Sequence, residues 1–564
     1  KREYATRSFN TVYASFDIWK GIKFASTFSY DFVMNKSRAW KDPRTSDGDD
    51  DNGRFSKDYN DITNMTWSNI LTYQTKIKKK HNLDLLVGYE INSKESDGLG
   101  TTISNFARWD KPEVNNGVVY QSMGGSNSTT RIVSYITRAN YDYDNKYYLG
   151  ASWRTDGSSR LARENRWGNF WSLSGAWRVS SESFMKPLQN WLSDLKLRVS
   201  YGVNGTLPSS YYGYMGLSSL TSNYNDNPGI KQSQLENKEL TWETNYNFNS
   251  GIDLGFFDNR LNVTFEYYVR TTKNLLYSRP LSLATGFSSY LANIGKLQNK
   301  GYELEIRSTN IETKDFRWST SLNLGHNANK ILKLDGDLKQ VTSGTSIHKV
   351  GLPYSTYYMI EFAGIDPVDG EPMFYKNTTD ENGNLNKETT KDPRSAEKVI
   401  LQCADPTITG GLGNSISYKW FDLNFNVNFS FGAWNYDGAA GKLEHGGDGT
   451  LNIPIYYRKR WQKEGDETSI ERFVVGRSIS MTDYATTRRL YSGDYVRLKN
   501  LTFGFTLPKT WTRKVGIDNI RLYASGNNLL TWAAYDYIDP ESGSSPSWDT
   551  PPMRTYTFGL EVKF

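Results

Sequence analysis

The stretch FDLNFNVNFSFG, residues 421–432, alternates apolar and polar residues almost without a break. In an extended chain side chains point alternately to opposite sides. Phe421, Leu423, Phe425, Val427, Phe429 and Phe431 therefore share one face, and Asp422, Asn424, Asn426, Asn428 and Ser430 the other. One face needs an apolar surrounding and the other needs water. A single strand does not tell whether that surrounding is a protein core or hydrocarbon.

The same pattern runs through the chain. Clear alternation returns at 242–248, 261–265, 302–306, 318–324 and 556–564. Less regular strands are expected at 11–19, 22–32, 63–77, 83–91, 132–143, 147–154, 170–177, 195–203, 407–418, 495–507 and 520–527, for a total of about seventeen. Many are long. Soluble strands cluster near ~5–6 residues, whereas tilted strands that cross a bilayer need ~9–11.

The connections separate the two surroundings. Short ones at 19–21, 78–80, 142–146, 257–260, 310–315, 418–421 and 508–516 alternate with long ones. A medium one at 180–194, where a helical turn is expected, takes a short position. The long connections are 33–61, 92–130, 156–168, 204–238, 271–298, 327–405, 433–493 and 529–553. Membrane barrels have short turns on one side and long loops on the other, and soluble sandwiches or propellers have no reason to keep that order. The fold class expected is all-β, a transmembrane antiparallel β-barrel over residues 1–564. Counting back from a last strand that descends from the loop 529–553, the strand 11–19 also descends, which leaves an odd count. Single-chain bacterial barrels have even counts, so at least one ascending strand is expected upstream, and the chain reads as a C-terminal portion or as one completed by another polypeptide.

Composition agrees. Apolar residues are 37 %, below the roughly 45–50 % of soluble domains even when glycine is exchanged for tyrosine in the count. Aromatics reach 14 %, with 38 Tyr and 17 Trp, residues that pair an apolar body with a polar tip. One cysteine, Cys403, excludes a disulfide framework, and with only four histidines a Cys/His metal site is not indicated. A net charge of +6 without a basic stripe does not indicate nucleic acid. No apolar run approaches the ~18 residues of a membrane helix. The first residues, KREYATRSFN, lack the regions of a signal peptide.

Several long blocks resemble the SusC/RagA type of TonB-dependent outer-membrane transporter of Bacteroidota. They are 141–184, with its DGSSR loop, LKLRVSYGVNG at 195–205, 242–276, NIGKLQNKGYELEI at 293–306, 410–432, GDYVRLKNLTFGFTLP at 493–508, 521–543 and PPMRTYTFGLEVKF at 551–564. The resemblance implies an outer-membrane barrel of about 22 strands around an N-terminal plug. It implies active import of oligosaccharides, or of peptides in some members, energised by TonB–ExbB–ExbD. It also implies a SusD-like surface lipoprotein as lid and paired transporter–lid units. The TonB box, the plug and the first barrel strands are not found in these residues. In similar proteins the last strand carries the assembly signal, here Tyr556, Phe558, Leu560, Val562 and Phe564, which also make the lipid face of that strand.

For substrate, the long loops offer Trp434, Tyr436, Asp437 and Tyr357, and the last loop offers Trp532, Asp536 and Tyr537. Rings that stack on the C–H face of a sugar beside carboxylates that take its hydroxyls make a sugar site; the same rings also build a loop core. SDGDDDNG (46–53), with Asp47, Asp49 and Asp51, and DENGN (380–384) are weak Ca²⁺ candidates without EF-hand spacing, set against plain solvated loop tips. No other cofactor is expected. DGSSR (156–160) reads as loop-folding, with Arg160 bridging turn-capping Asp and Ser, over a grip on substrate or lid. No triad, paired catalytic carboxylates or phosphate loop is evident, so no enzyme is expected. The alternatives to an importer are a passive porin and a barrel-anchored adhesin or assembly platform.

Overall fold

The computed structural model describes residues 1–564 apart from 226, 335, 337, 381–383, 448–451, 476–483, 536–537 and 543–551. Seventeen strands belong to one sheet. They are Arg2–Trp19, Ile22–Lys41, Arg54–Ile77, His81–Phe106, Gly117–Tyr143, Tyr147–Ser158, Trp167–Arg178, Leu192–Thr206, Glu243–Phe256, Leu261–Lys273, Lys296–Glu312, Phe316–Lys333, Ile408–Tyr418, Phe421–Phe431, Tyr495–Thr506, Asn519–Ala533 and Thr555–Lys563. Each falls on one of the expected stretches. The chain divides into two compact units, Lys1–Arg178 with Arg198–Phe248 and Thr271–Gly295, and Val179–Leu197 with Asn249–Arg270 and Lys296–Phe564.

In the first unit the strands from Arg2–Trp19 to Trp167–Arg178 pair antiparallel in chain order. The turns at one end are tight and take left-handed residues: Gly21 at φ 79°, Lys78 and Lys79 at 49° and 63°, Asp144 and Asn145 at 54°. Gly21 has a second constraint, since a Cβ there would sit 2.2 Å from the Gln74 carbonyl oxygen. At the other end a small core of Phe55, Ile103 and Phe106 packs with Trp40 and Val114. A second core gathers Leu161, Phe170, Val203, Leu240 and Trp242, whose indole donates to the Arg166 carbonyl at 3.0 Å.

The second unit contains the deciding stretch. Phe421–Phe431 lies between Ile408–Tyr418 and Tyr495–Thr506, with Phe421 opposite Phe505 and Leu423 opposite Phe503. The apolar face continues through Leu522 and Ala524 to Leu560 and Phe558. The described residues leave it open: Phe421 is 42 % exposed, Phe503 48 %, Leu522 47 % and Phe558 83 %. Contiguous apolar surface of this kind is not left to water by a soluble monomer. Opposite, Arg521 grips Asp422 bidentately at 2.7 and 3.1 Å across Gly504, where a Cβ would lie 2.2 Å from the carboxylate. Asn428, Asn323, Gly411, Glu303 and Glu305 line a wet recess of about 1000 Å³ on that side.

Two connections differ from expectation. The segments 33–61 and 92–130 are mostly strand, since pairing runs on to Lys41↔Arg54 and Phe106↔Gly117. Backbone pairing does not need an apolar face. Beyond the apolar band both faces are wet, the period-two pattern fades, and the strands become invisible to it. The connection 180–194 holds the expected helical turn as two 3₁₀ segments, Val179–Ser181 and Ser183–Leu188. The long connection 327–405 carries two small sheets of its own.

Candidate functional site

The loop 433–493 closes at its base through a short ladder of its own, Trp434–Tyr436 against Leu490–Ser492. It shares a core with the connection 327–405: Tyr357 and Met359 of that connection meet Leu490, with Trp434 and Tyr436 packed on them. Tyr357 is buried, and its hydroxyl accepts from the Tyr436 N–H at 3.2 Å. Asp437 is buried too. Its carboxylate caps the helix Gly438–Leu443 by accepting from the Ala440 N–H at 2.7 Å, and it accepts from the Tyr535 hydroxyl at 3.1 Å. Tyr535 stacks on Tyr491 with centroids 3.8 Å apart and planes 10° off parallel.

Beneath this lies a charged core that no periodicity announces. Glu444, Glu471, Arg488 and Arg489 are all nearly excluded from water. Arg488 pairs with Glu471, and Arg489 with Glu444 at 3.3 Å. Tyr456 donates to Glu444 at 2.6 Å and Tyr457 to Glu471 at 3.1 Å. Two carboxylates against two guanidiniums leave the cluster neutral, as burial requires. Burial, then the facing carboxylates, hold both phenols well above the ordinary tyrosine range, so they stay donors. Burial opposes the Arg488 charge, yet Glu471, Tyr457 and Glu444 together outweigh it and the guanidinium is held more firmly protonated than usual. Gly446, at φ 59°, lets the chain pass Glu471, from which a Cβ would stand 2.7 Å away. Nearby, Lys391 bridges Asp366 and Asp369 at 2.7 Å each, and Trp461 covers Gly370.

The structure thus brings Tyr357, Trp434, Tyr436 and Asp437 together, with Tyr357 and Asp437 turned inward as parts of the loops' shared framework. Trp532 is elsewhere: 59 % exposed, it lies opposite Val496, and Val496 lies opposite Phe429, so it continues the apolar face. Asp536 and Tyr537 lie outside the described residues. In the same last connection, buried Arg497 donates to Asp539 and Glu541 at 2.7 Å each and to Thr531 at 3.0 Å. Asp47 accepts from Thr45 at 2.7 Å and Asp51 pairs with Arg54 at 2.5 Å, so these carboxylates serve the turn. Among the described residues no group of three or more His, Cys, Asp or Glu is placed to hold a metal ion, Asp49 included. Asp380 accepts from the Asn384 N–H at 2.7 Å; 381–383 lie outside the described residues. DGSSR departs from expectation in its partners: the Arg160 side chain bridges not its own Asp and Ser but Thr130 and the Pro208 carbonyl, stacking over Tyr211 at 4.4 Å, while Asp156 takes Arg154 at 2.7 Å. Tyr556, Phe558, Leu560 and Phe564 of the C-terminal segment are exposed; Val562 pairs opposite Ile520.

An exposed apolar face, a wet opposite face and long loops that share cores find their counterpart among known proteins. A family model described as TonB dependent receptor-like, beta-barrel, matches residues 2–529. The chain belongs to this family. Among its relatives, TonB-dependent receptor P3 of Formosa agariphila is 32 % identical over 593 residues, covering 98 % of this chain and 57 % of the relative. TonB-dependent receptor SusC of Bacteroides thetaiotaomicron is 30 % identical over 461 residues, 77 % of this chain and 44 % of its own length. Among solved structures, the RagAB peptide transporter superposes with a TM-score of 0.88 at 27 % identity, over 100 % of this chain and 62 % of the matched one. The chain therefore spans less than two thirds of these relatives. The TonB-dependent receptor fold accounts for the uncovered phenylalanines, because a barrel of this kind has hydrocarbon as its outer solvent.

Proposed function

We propose that this chain is the barrel portion of an outer-membrane importer. It would take up a nutrient oligomer, glycan or peptide, under a SusD-like lid lipoprotein, with energy delivered through TonB–ExbB–ExbD. The observation that carries the reading is the match along the whole chain to the RagAB peptide transporter, together with the likeness to SusC. In the family's orientation the tight turns at 78–80 and 144–146 face the periplasm and the long loops face outward. Cargo passes the wet face, where Glu303, Glu305, Arg307 and Asn428 offer many weak polar contacts. That lining suits a carrier that has to release what it holds.

On sequence alone, family frequency and the aromatic loops favour glycan. With Tyr357 turned inward and Tyr436 packed against the loop core, the argument from the loops loses force, and the RagAB likeness favours a peptide. The test is uptake by cells carrying the full-length protein, with labelled oligosaccharides and labelled peptides, with and without TonB. TonB-dependent entry of one class supports the reading and chooses the substrate. Ion conductance without TonB through an open pore would replace it with a porin, and normal growth on every candidate with loss of attachment would replace it with an adhesin.

A further inference from the structure

Four neighbouring strands overshoot any bilayer. Ile22–Lys41 has 20 residues, Arg54–Ile77 24, His81–Phe106 26 and Gly117–Tyr143 27, against the ~9–11 that cross. Beyond the membrane they form a four-stranded tongue. The next strand, Tyr147–Ser158, pairs with Gly117–Tyr143 only from Ile132 to Tyr143. From Gly117 to Ser128 the last strand of the tongue is thus a free edge; no described strand pairs with its outer side.

Natural edges are guarded by charge, lysine or proline. This one has a single irregularity, the register shift at Gln121, and no charge: GVVYQSMGGSNSTT, residues 117–130, has no charged residue and no proline. Val118 is 77 % exposed and Met123 67 %. The Thr129 and Arg131 N–H groups turn away from His81–Phe106, to the Tyr212 hydroxyl and the Ser159 hydroxyl. At a spacing of two, the N–H and C=O groups of Asn127, Gly125 and Met123 turn the same way, into solvent. Two adjacent glycines lie on this edge without need of their own fold. Neither Gly124 nor Gly125 has a positive φ; a Cβ at Gly124 would meet nothing, and one at Gly125 only the Gly98 carbonyl at 3.6 Å. Glycine inside a strand with no internal reason marks a place where another backbone approaches closely.

We propose that the edge 117–128 accepts one added β-strand from an extended, uncharged segment of the lid lipoprotein, which docks the lid on the outer side of the barrel. A row of backbone donors and acceptors at strand spacing is completed by extended polypeptide and by little else. A second copy of this chain fits poorly. Copies in one membrane are related by an axis along its normal, and pairing these edges would then continue the outer face of one sheet into the inner face of the other. Transported peptide fits poorly as well, since a ladder along the regular stretch 122–128 suits a resident subunit and not a cargo to be released. The partner strand should place apolar side chains beside Val118, Tyr120 and Met123 and small ones over Gly124 and Gly125.

The inference rests on the importer reading, and the experiment separates the two. The full-length protein is purified with its lipoprotein, and amide hydrogen exchange is compared with the lipoprotein-stripped transporter. Met123, Gly125 and Asn127 are expected to exchange about tenfold or more slowly in the complex, the signature of a backbone hydrogen bond. Gly125→Pro removes an outward N–H without touching the ladder to His81–Phe106, and is expected to weaken lipoprotein retention about tenfold while the barrel keeps its heat-modifiable migration. A crosslinker at position 123 is expected to capture the lipoprotein. If the lipoprotein is retained but these amides, the proline variant and the crosslink are unchanged, the docking edge is wrong and the importer reading stands. If no lipoprotein accompanies the wild-type chain, both fall. A crosslink to cargo peptide instead overturns the choice of occupant.

Discussion

Glu471→Gln tests whether the loop 433–493 is held by its buried charges. Glu471 is fully buried, accepts from Tyr457 at 3.1 Å and neutralises Arg488. Glutamine keeps the size and one acceptor and leaves the cluster with one surplus positive charge. Removing one member of a buried pair costs about 3–5 kcal/mol, because the other charge stays in a poor solvent. Glu444 lies 3.9 Å from Arg488 and takes part of that burden, which puts the expected cost at the lower end, about 3 kcal/mol. That multiplies the population of the opened loop about 150-fold. The assay is native-state hydrogen exchange at residues 433–447 and 484–493, with heat-modifiable migration as the check that the barrel is intact. A second variant, Glu471→Gln with Arg488→Met, removes both charges and is expected to recover most of the protection. Protection within about threefold of wild type in the single variant, or a double variant as open as the single, would refute the argument.

Phe503→Arg, in the middle of the apolar face, is expected to cost about 2–4 kcal/mol in folding into bilayers and almost nothing if that face meets water. Urea titration in lipid vesicles reads the difference. Arg497→Met should loosen the last loop by about 2–3 kcal/mol, since Asp539 and Thr531 lose the guanidinium while Asp539 keeps the Glu541 N–H at 2.9 Å and Lys499 still holds Glu541 at 2.7 Å. Exchange at 534–542 should rise and exchange at 495–506 should not. Because Tyr456 and Tyr457 titrate above the unfolded value of about 10, their contribution to loop stability is complete below that pH and declines as pH rises past it. Tyrosinate absorbance should therefore appear together with loss of loop protection; Tyr456→Phe should shift that loss to higher pH.

The strands were legible where a side of the chain had to be apolar. Phe421, Leu423, Phe425 and Val427 announce themselves because hydrocarbon accepts nothing polar at alternate positions. Past that band the same sheet continues through residues such as Ser96, Gly98 and Gly100, and the signal ends although the hydrogen bonds do not. The gathering of Tyr357, Trp434 and Tyr436 was legible as composition; their direction was not, because rings that stack on a sugar and rings that fill a core are the same rings. The Glu444, Glu471, Arg488 and Arg489 cluster had one faint sign, adjacent arginines in an aromatic-rich loop. Its partners come from residues 444 and 471, and only the fold sets them side by side. Trp532 shows the opposite error of placement. A β-irregularity between Leu498 and Asn500 lies in its ladder, and in the resulting register it sits opposite Val496 on the lipid side.

Neighbouring connections close over apolar residues that they share: Phe55 of 33–61 with Ile103 and Phe106 of 92–130, and Tyr357 and Met359 of 327–405 with Leu490 of 433–493. Such segments do not borrow their stability from the wall that bears them. A substitution in one connection is therefore felt in its neighbour, and the two are constrained to change together while the ladder that carries them keeps its own pairing.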